Sequence, residues 1–406
     1  MKHKFLFICT ASLMVLLGTS DAMRGIFTPL FREGYGFSVE QLGVIVSLSY
    51  VGNLLCLLAG GIVLDAMGRR RALVVFILLL AASELLLLQG SRFSFLAVGF
   101  FLTLGLSTLL NATVNLISSE FSEKKKLAVV NSLFFIQGVG TSGSQLVFSH
   151  YASSQAVFSG LVGVLAVTLA LLSLPFFLTR SFAPKVRETT TTKGSGKTDM
   201  GAVALLTGAL AFYLIAEHGV TNYLILYGSE HLKQSAATAG TALALFSAGI
   251  MVGRLILAPM VDSVGPIRII TLSLALGSGA YIAAFATNHL NILFFAGLFV
   301  AVVYPSIVAV VSGYAPPALR SRVTTGVISI ASLADVLFNL GFGRIVGSLG
   351  YGVAMAFLCV SLVIALLCMG ILWMRTAKTR QAYHSREKSA AVGPGADGGA
   401  GKRTED

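Results

Sequence analysis

The sequence predicts an all-α membrane protein of twelve transmembrane helices in two parallel six-helix halves. Composition, the length of the apolar runs and an internal repeat lead there. Of the 406 residues, 55% are hydrophobic and 11% charged, against about 25% charged in a soluble domain. Mean hydropathy is +0.85. A chain with so little polar surface cannot cover a water-soluble particle of this size, which excludes a soluble enzyme. A spanning helix needs roughly 20 apolar residues, so the chain has room for about twelve with their loops. A membrane barrel would show alternating strands of about ten residues; the runs here are long and unbroken.

The spans read as 5–30, 38–63, 72–90, 93–119, 126–150, 155–179, 201–227, 235–260, 267–287, 290–314, 322–347 and 351–374. With the N-terminus inside, 23 of the 29 Lys and Arg residues fall on the inner side, only Arg32, Arg92 and Lys233 fall outside, and three lie within spans. This is the positive-inside asymmetry. It places both termini in the cytoplasm and accounts for the net charge of +12 without nucleic acid as a partner. The start, Lys2-His3-Lys4 followed by an apolar run, looks like a secretory signal, but the repeat begins soon after it and favours a retained helix. Cys9, Cys56, Cys359 and Cys368 are far apart inside apolar spans, a spacing that suggests neither a disulfide framework nor a metal site. No cofactor is called for.

The polar stretch 180–200 divides the chain into an N-terminal bundle, 1–179, and a C-terminal bundle, 201–374. It reads as a cytoplasmic linker, and the polar, Gly-rich residues 375–406 as a disordered cytoplasmic tail. Adding 197 maps Ser38 to Ser235, Gly43 to Gly240, Gly52 to Gly249, Asp65 to Asp262 and Gly68 to Gly265 without a gap. A duplicated unit whose copies both start inside gives parallel halves, with a binding site between them near the midplane.

The loop between spans 2 and 3 holds Gly61-x-x-x-Asp65-x-x-Gly68-Arg69-Arg70. Glycine allows the tight turn, and the charges can bridge helix ends that must separate when the inner side opens. The second copy keeps Asp262 and Gly265 and is otherwise degenerate. With the twelve spans and the repeat, this signature resembles the major facilitator superfamily over about residues 5–375. The resemblance implies that Asp65, Arg69 and Arg70 stabilise an outward-open state, with Gly61, Gly68 and Asp262 in the same inner gate.

Ionisable residues within spans are expensive toward lipid and so are expected to face the interior. They are Asp21, Arg24, Glu84, Glu217, Arg254, Asp335 and Arg344. Asp21 and Arg24 share a face of span 1. Asp21 and Glu217, 196 apart, are expected to approach the axis from the two halves at similar depth and to carry coupling protons; a static Asp21–Arg24 ion pair is the bland alternative. His218 adjoins Glu217 but points about 100° away on the helix, which suggests packing. Asp335 could pair with Arg254 or Arg344. Asn111 and Asn115 share a face of span 4, and amides both donate and accept, which suits hydroxyl-rich solutes. Arg24, Asn131, Gln137, Asn222 and Asn339 complete the expected substrate lining. Tyr304-Pro305 suggests a kink in span 10.

Glu217 with Asn222-Tyr223-Leu224, and Gly253-Arg254 late in span 8, resemble the fucose–galactose–glucose:proton symporter branch. The resemblance implies an inner-gate role for Arg254. It also exposes a departure, because that branch carries a Glu where Asn111 stands. A P-loop fails at Thr191, no HExxH zinc motif is present, and the span-5 run Gly138-Val-Gly140 lacks the Gly-Pro pair of drug antiporters. The expectation is a monomeric, proton-coupled symporter of a small polar solute such as a sugar, set in the lipid of a cell inner membrane. An exporter of amphipathic compounds and a non-transporting receptor on the same fold are the alternatives.

Overall fold

The computed structural model describes residues 2–118, 121, 126–178 and 198–391, with side chains except at 2, 3, 61, 65, 126–128, 262 and 378–391. The described residues form helices α1 Lys2–Ile26, α2 Val39–Met67, α3 Arg69–Leu87, α4 Phe93–Ile117, α5 Lys126–Phe148 and α6 Gln155–Leu178 in the first half. The second half has α7 Met200–Leu226, α8 Ala236–Val264, α9 Pro266–Thr287, α10 Leu293–Val300, α11 Val303–Val311 and α12 Arg320–Ala391. Among the described residues nine segments are long and apolar enough to cross a membrane. The longest of them, Arg320–Ala377, is divided at Gly350, whose φ of 81° leaves the helix. The second arm of α12 continues to Ala391, so the tail expected to be disordered from 375 starts as helix. Residues 392–406 and most of the linker lie outside the described residues, as do the surroundings of Gly61 and the side chains of Asp65 and Asp262.

Local chemistry explains the ends of these helices. Ser38 caps α2, its hydroxyl accepting from Gln41 N (3.1 Å) while Gln41 Oε1 accepts from Ser38 N (2.9 Å), a reciprocal capping box. Ser235 caps α8 through Thr238 N at 3.1 Å. The break between α10 and α11 falls at Ala301 and Val302. Pro305 lacks an N–H, and its ring collides with the carbonyl four residues back, that of Ala301. Gly68 and Gly265 turn α2 into α3 and α8 into α9 with φ of 74° and 96°.

The repeat seen in sequence over 38–68 is carried by the backbone further back. The π-helical turns Leu30–Gly34 and Tyr227–His231 are offset by 197, as are the helices Val39–Met67 and Ala236–Val264. Gly36 and Lys233 share a positive φ at the same offset. An unbroken 197 register from residue 30 to residue 68 also governs the helix that leads into it. It makes His218, not Glu217, the counterpart of Asp21. One residue on an α-helix is a rotation of about 100°, so Glu217 is turned away from the position equivalent to Asp21.

The halves touch where α1 meets α7, α2 meets α12 and α5 meets α8. At the end that holds Arg32 and Glu230 they are closed. Arg32 pairs with Glu230 at 3.2 Å, Ser47 Oγ donates to Val336 O at 3.0 Å, and Gly343 lies on the backbone of Val39 and Glu40. One hydrophobic core runs through both halves there, from Met23, Phe27 and Leu42 to Tyr223, Phe342 and Met355. At the opposite end, where Gly68 lies, the first half has a core of its own from Leu13, Leu64 and Phe76 to Phe176. An apolar core shared at one end and split at the other describes a bundle closed at the Arg32 end and parted at the Gly68 end.

Candidate functional site

The closed and parted zones meet at a buried polar network. Arg24 on α1 is 7% exposed. Its Nε donates to Asn222 Oδ1 (2.7 Å), Nη1 to Ser49 Oγ (2.6 Å) and Nη2 to the Tyr50 hydroxyl (3.1 Å). The guanidinium also sits 4.7 Å from the Tyr50 ring centroid, a cation–π contact. Asn222 Nδ2 donates to the same Tyr50 hydroxyl at 3.1 Å. The Tyr50 ring stacks on His218 with centroids 4.2 Å apart. His218 Nδ1 in turn meets Asp335 Oδ2 at 2.6 Å, and Asn339 Nδ2 donates to Asp335 Oδ1 at 2.9 Å. The chain of contacts joins α1 and α2 of one half to α7 and α12 of the other. Arg24–Asn222 and Arg32–Glu230 are each 198 residues apart, close to the repeat offset, as expected for pairs beside the axis that relates the two halves.

A second cluster lies within the first half, one turn from Arg24. Asp21 Oδ2 accepts from Ser107 Oγ (3.0 Å) and Gln137 Nε2 (3.3 Å). Its Oδ1 is buried without a hydrogen-bond partner. Ser20, next to Asp21, bonds the fully buried Glu84 carboxyl of α3. Glu84 therefore has a partner that sequence reasoning did not find.

Several expectations need correcting. Asp21 and Arg24 do not form an ion pair in which each bonds the other, because their hydrogen bonds go to neutral groups. Asp335 pairs with His218, not with Arg254 or Arg344. His218 is therefore a polar link between the halves rather than a packing residue. Glu217 lies near Tyr213, Tyr281 and Tyr304 of its own half and also near Tyr50 of the other. Asn111 keeps a buried Oδ1 without a partner, whereas Asn115 and Asn131 are exposed. Arg70 bonds the carbonyl of Phe177 and lies 5.7 Å from its ring, so it anchors α3 to α6 within one half. Arg69 is half-buried and Arg254 exposed.

Sequence reasoning missed Ser49, Tyr50, His218 and Asp335 as a connected group, and Ser107 as a partner of Asp21. The available signal was a run of polar residues, Ser47, Ser49 and Tyr50, inside an apolar span. Hydroxyl groups are common enough in membrane helices that this pattern alone does not stand out.

The Major Facilitator Superfamily profile matches residues 10–231 and 205–400, together most of the chain. The chain belongs to the major facilitator superfamily. It is accordingly a multi-pass membrane transporter and not an enzyme. The solved nucleoside transporter NupG superposes with a TM-score of 0.72 at 11% identity, over 89% of this chain and 99% of that one. The E. coli fucose:proton symporter FucP gives 0.61 at 16%, over 91% and 99%. A D-xylose-proton symporter gives 0.68 at 15%, over 90% and 96%. Likenesses at these identities establish the fold. In sequence, the chain is 27% identical over 174 residues to the 4-hydroxybenzoate transporter PcaK of Pseudomonas putida. That alignment spans 42% of this chain and 39% of the relative.

Proposed function

We propose that this superfamily member is a monomeric, proton-coupled secondary transporter that moves a small polar organic solute across a cell inner membrane by alternating access. The observation that carries the reading is the Arg24–Tyr50–His218–Asp335 network, which spans both halves at the point where their shared core ends. A solute reaching it from the parted end would meet polar groups of both halves at once. Parallel repeats related by an axis along the membrane normal place their site there. The proton symporters among the similar structures are consistent with this reading.

By the positive-inside rule the Gly68 end would face the cytoplasm, and on that reading the parted end opens inward. Asp21 is the coupling residue. One of its oxygens is held by Ser107 and Gln137, while the other is buried with no donor. That is a place for a proton, and protonation would discharge the site before the halves rock. Solute and proton must then favour the same state.

The test is accumulation against a gradient compared with exchange. Asp21→Asn should abolish proton-driven accumulation and leave solute exchange running. Normal accumulation by this variant would remove Asp21 from the coupling step. Addition of solute to lightly buffered, de-energised cells should raise external pH only when the protein is present.

A further inference from the structure

Arg24 differs from the other charged groups of the network in the company it keeps. A guanidinium cannot lose its proton in a protein, so this buried group stays cationic. Its three hydrogen-bond partners, Asn222, Ser49 and Tyr50, are all neutral. The carboxylates nearby are committed elsewhere. Asp335 on α12 holds His218 and Asn339. Asp21, one turn back on α1, turns its bonded oxygen to Ser107 and Gln137. Glu84 on α3 is bonded by Ser20. Asp21 acts on Arg24 through space, but no described carboxylate hydrogen-bonds it, and a buried charge so loosely paired is costly.

The guanidinium has five N–H donors, and three are used, one from each nitrogen. One donor therefore remains on each terminal nitrogen. Two such donors form the fork that binds a carboxylate in a bidentate manner. We propose that the transported solute is an organic carboxylate and that Arg24 is its anchor, an assignment that rests on proton-coupled symport and narrows its solute class. Once Asp21 is protonated, a neutral sugar would leave the Arg24 charge uncompensated; a carboxylate would neutralise it at the junction of the two halves, which is where binding must act if it is to draw them together.

The test uses the full-length purified protein and isosteric pairs that differ only in charge: benzoate and benzamide, nicotinate and nicotinamide, lactate and lactamide, with glucose and fucose as neutral solutes. Thermal unfolding midpoints are followed as each is titrated. At least one carboxylate should stabilise the protein at a concentration tenfold or more below its amide. Arg24→Gln should remove that stabilisation. Arg24→Lys, which keeps the charge but loses the fork, should weaken it about tenfold. Equal stabilisation by amides or sugars, a carboxylate effect that survives in Arg24→Gln, or no effect from any carboxylate would overturn the anchor. The comparison of wild-type pairs stands even where a variant fails to fold. The external-pH measurement separates the anchor from the symport beneath it. A sugar that alkalinises the medium while carboxylates do not would keep symport and remove the anchor. A carboxylate that binds through Arg24 yet moves no proton would keep the anchor and remove symport.

Discussion

His218 and Asp335 make a contact whose energy depends on both partners being present. The Asp335 side chain is 2% exposed and that of His218 21%. Breaking a buried pair by removing one member strands the other, at a cost of about 3–5 kcal/mol, whereas removing both spares that penalty. Asp335→Leu and His218→Leu should therefore each lower the unfolding midpoint more than the double variant Asp335→Leu/His218→Leu does. Additive losses would mean that the two side chains are not coupled. Sequence alone could not suggest this pair, because it joins residues 117 apart and neither lies in a recognisable motif. It did single out Asp21, Arg24 and Asn222, which lie in the two polar clusters, since polar groups in apolar spans are rare and must face inward. What it misjudged was angle. Counting depth from the ends of two spans fixes position only to a residue or so, and on a helix each residue is about 100°. That is enough to turn Glu217 toward Tyr213 and to bring His218 to the axis.

At the level of elements, the helix boundaries followed from apolar runs and from glycines with a conformational duty. Gly68 adopts φ 74° and ψ 147° with open space where a Cβ would stand. The obstacle to a side chain there is the backbone conformation itself, a region open essentially to glycine. Gly68→Ala should destabilise the first half by about 1–3 kcal/mol, read as a fall in the unfolding midpoint without a change in fold. A crowded glycine behaves differently. Gly343 on α12 rests against the backbone at the start of α2, so a Cβ there forces the closed end apart. Gly343→Val should leave each half folded but favour the state open at the Arg32 end. Cysteines introduced beside Arg32 would then react faster with a membrane-impermeant thiol reagent added from that side, and transport would fall. Unchanged reactivity would show that α2 and α12 have another way to separate. The repeat made most of this legible, since an ungapped offset of 197 transfers capping and turn chemistry from one half to the other. Contacts between the halves were not legible, because they depend on which faces meet and not on what each helix is.

For the molecule as a whole, the proposed symport makes a statement about the charge that crosses the membrane in each cycle. The empty carrier holds the Asp21 carboxylate and the Arg24 cation. Under proton-coupled carboxylate symport, the loaded carrier holds a protonated Asp21 and an Arg24 neutralised by the solute. The sum is the same in both, so carrier and cargo move no net charge. A neutral solute carried with a proton would instead move one charge per cycle, worth about 2.3 kcal/mol per 100 mV, or about fifty-fold in accumulation at equilibrium. In proteoliposomes, accumulation of the carboxylate identified by thermal titration should follow an imposed pH difference. It should change less than about twofold when a potassium diffusion potential of about 100 mV is added, the fifty-fold effect being that of one uncompensated charge. Accumulation that rises steeply with the potential would mean that a second proton enters the cycle, and Glu84, buried against Ser20 beside Asp21, is the group positioned to carry it.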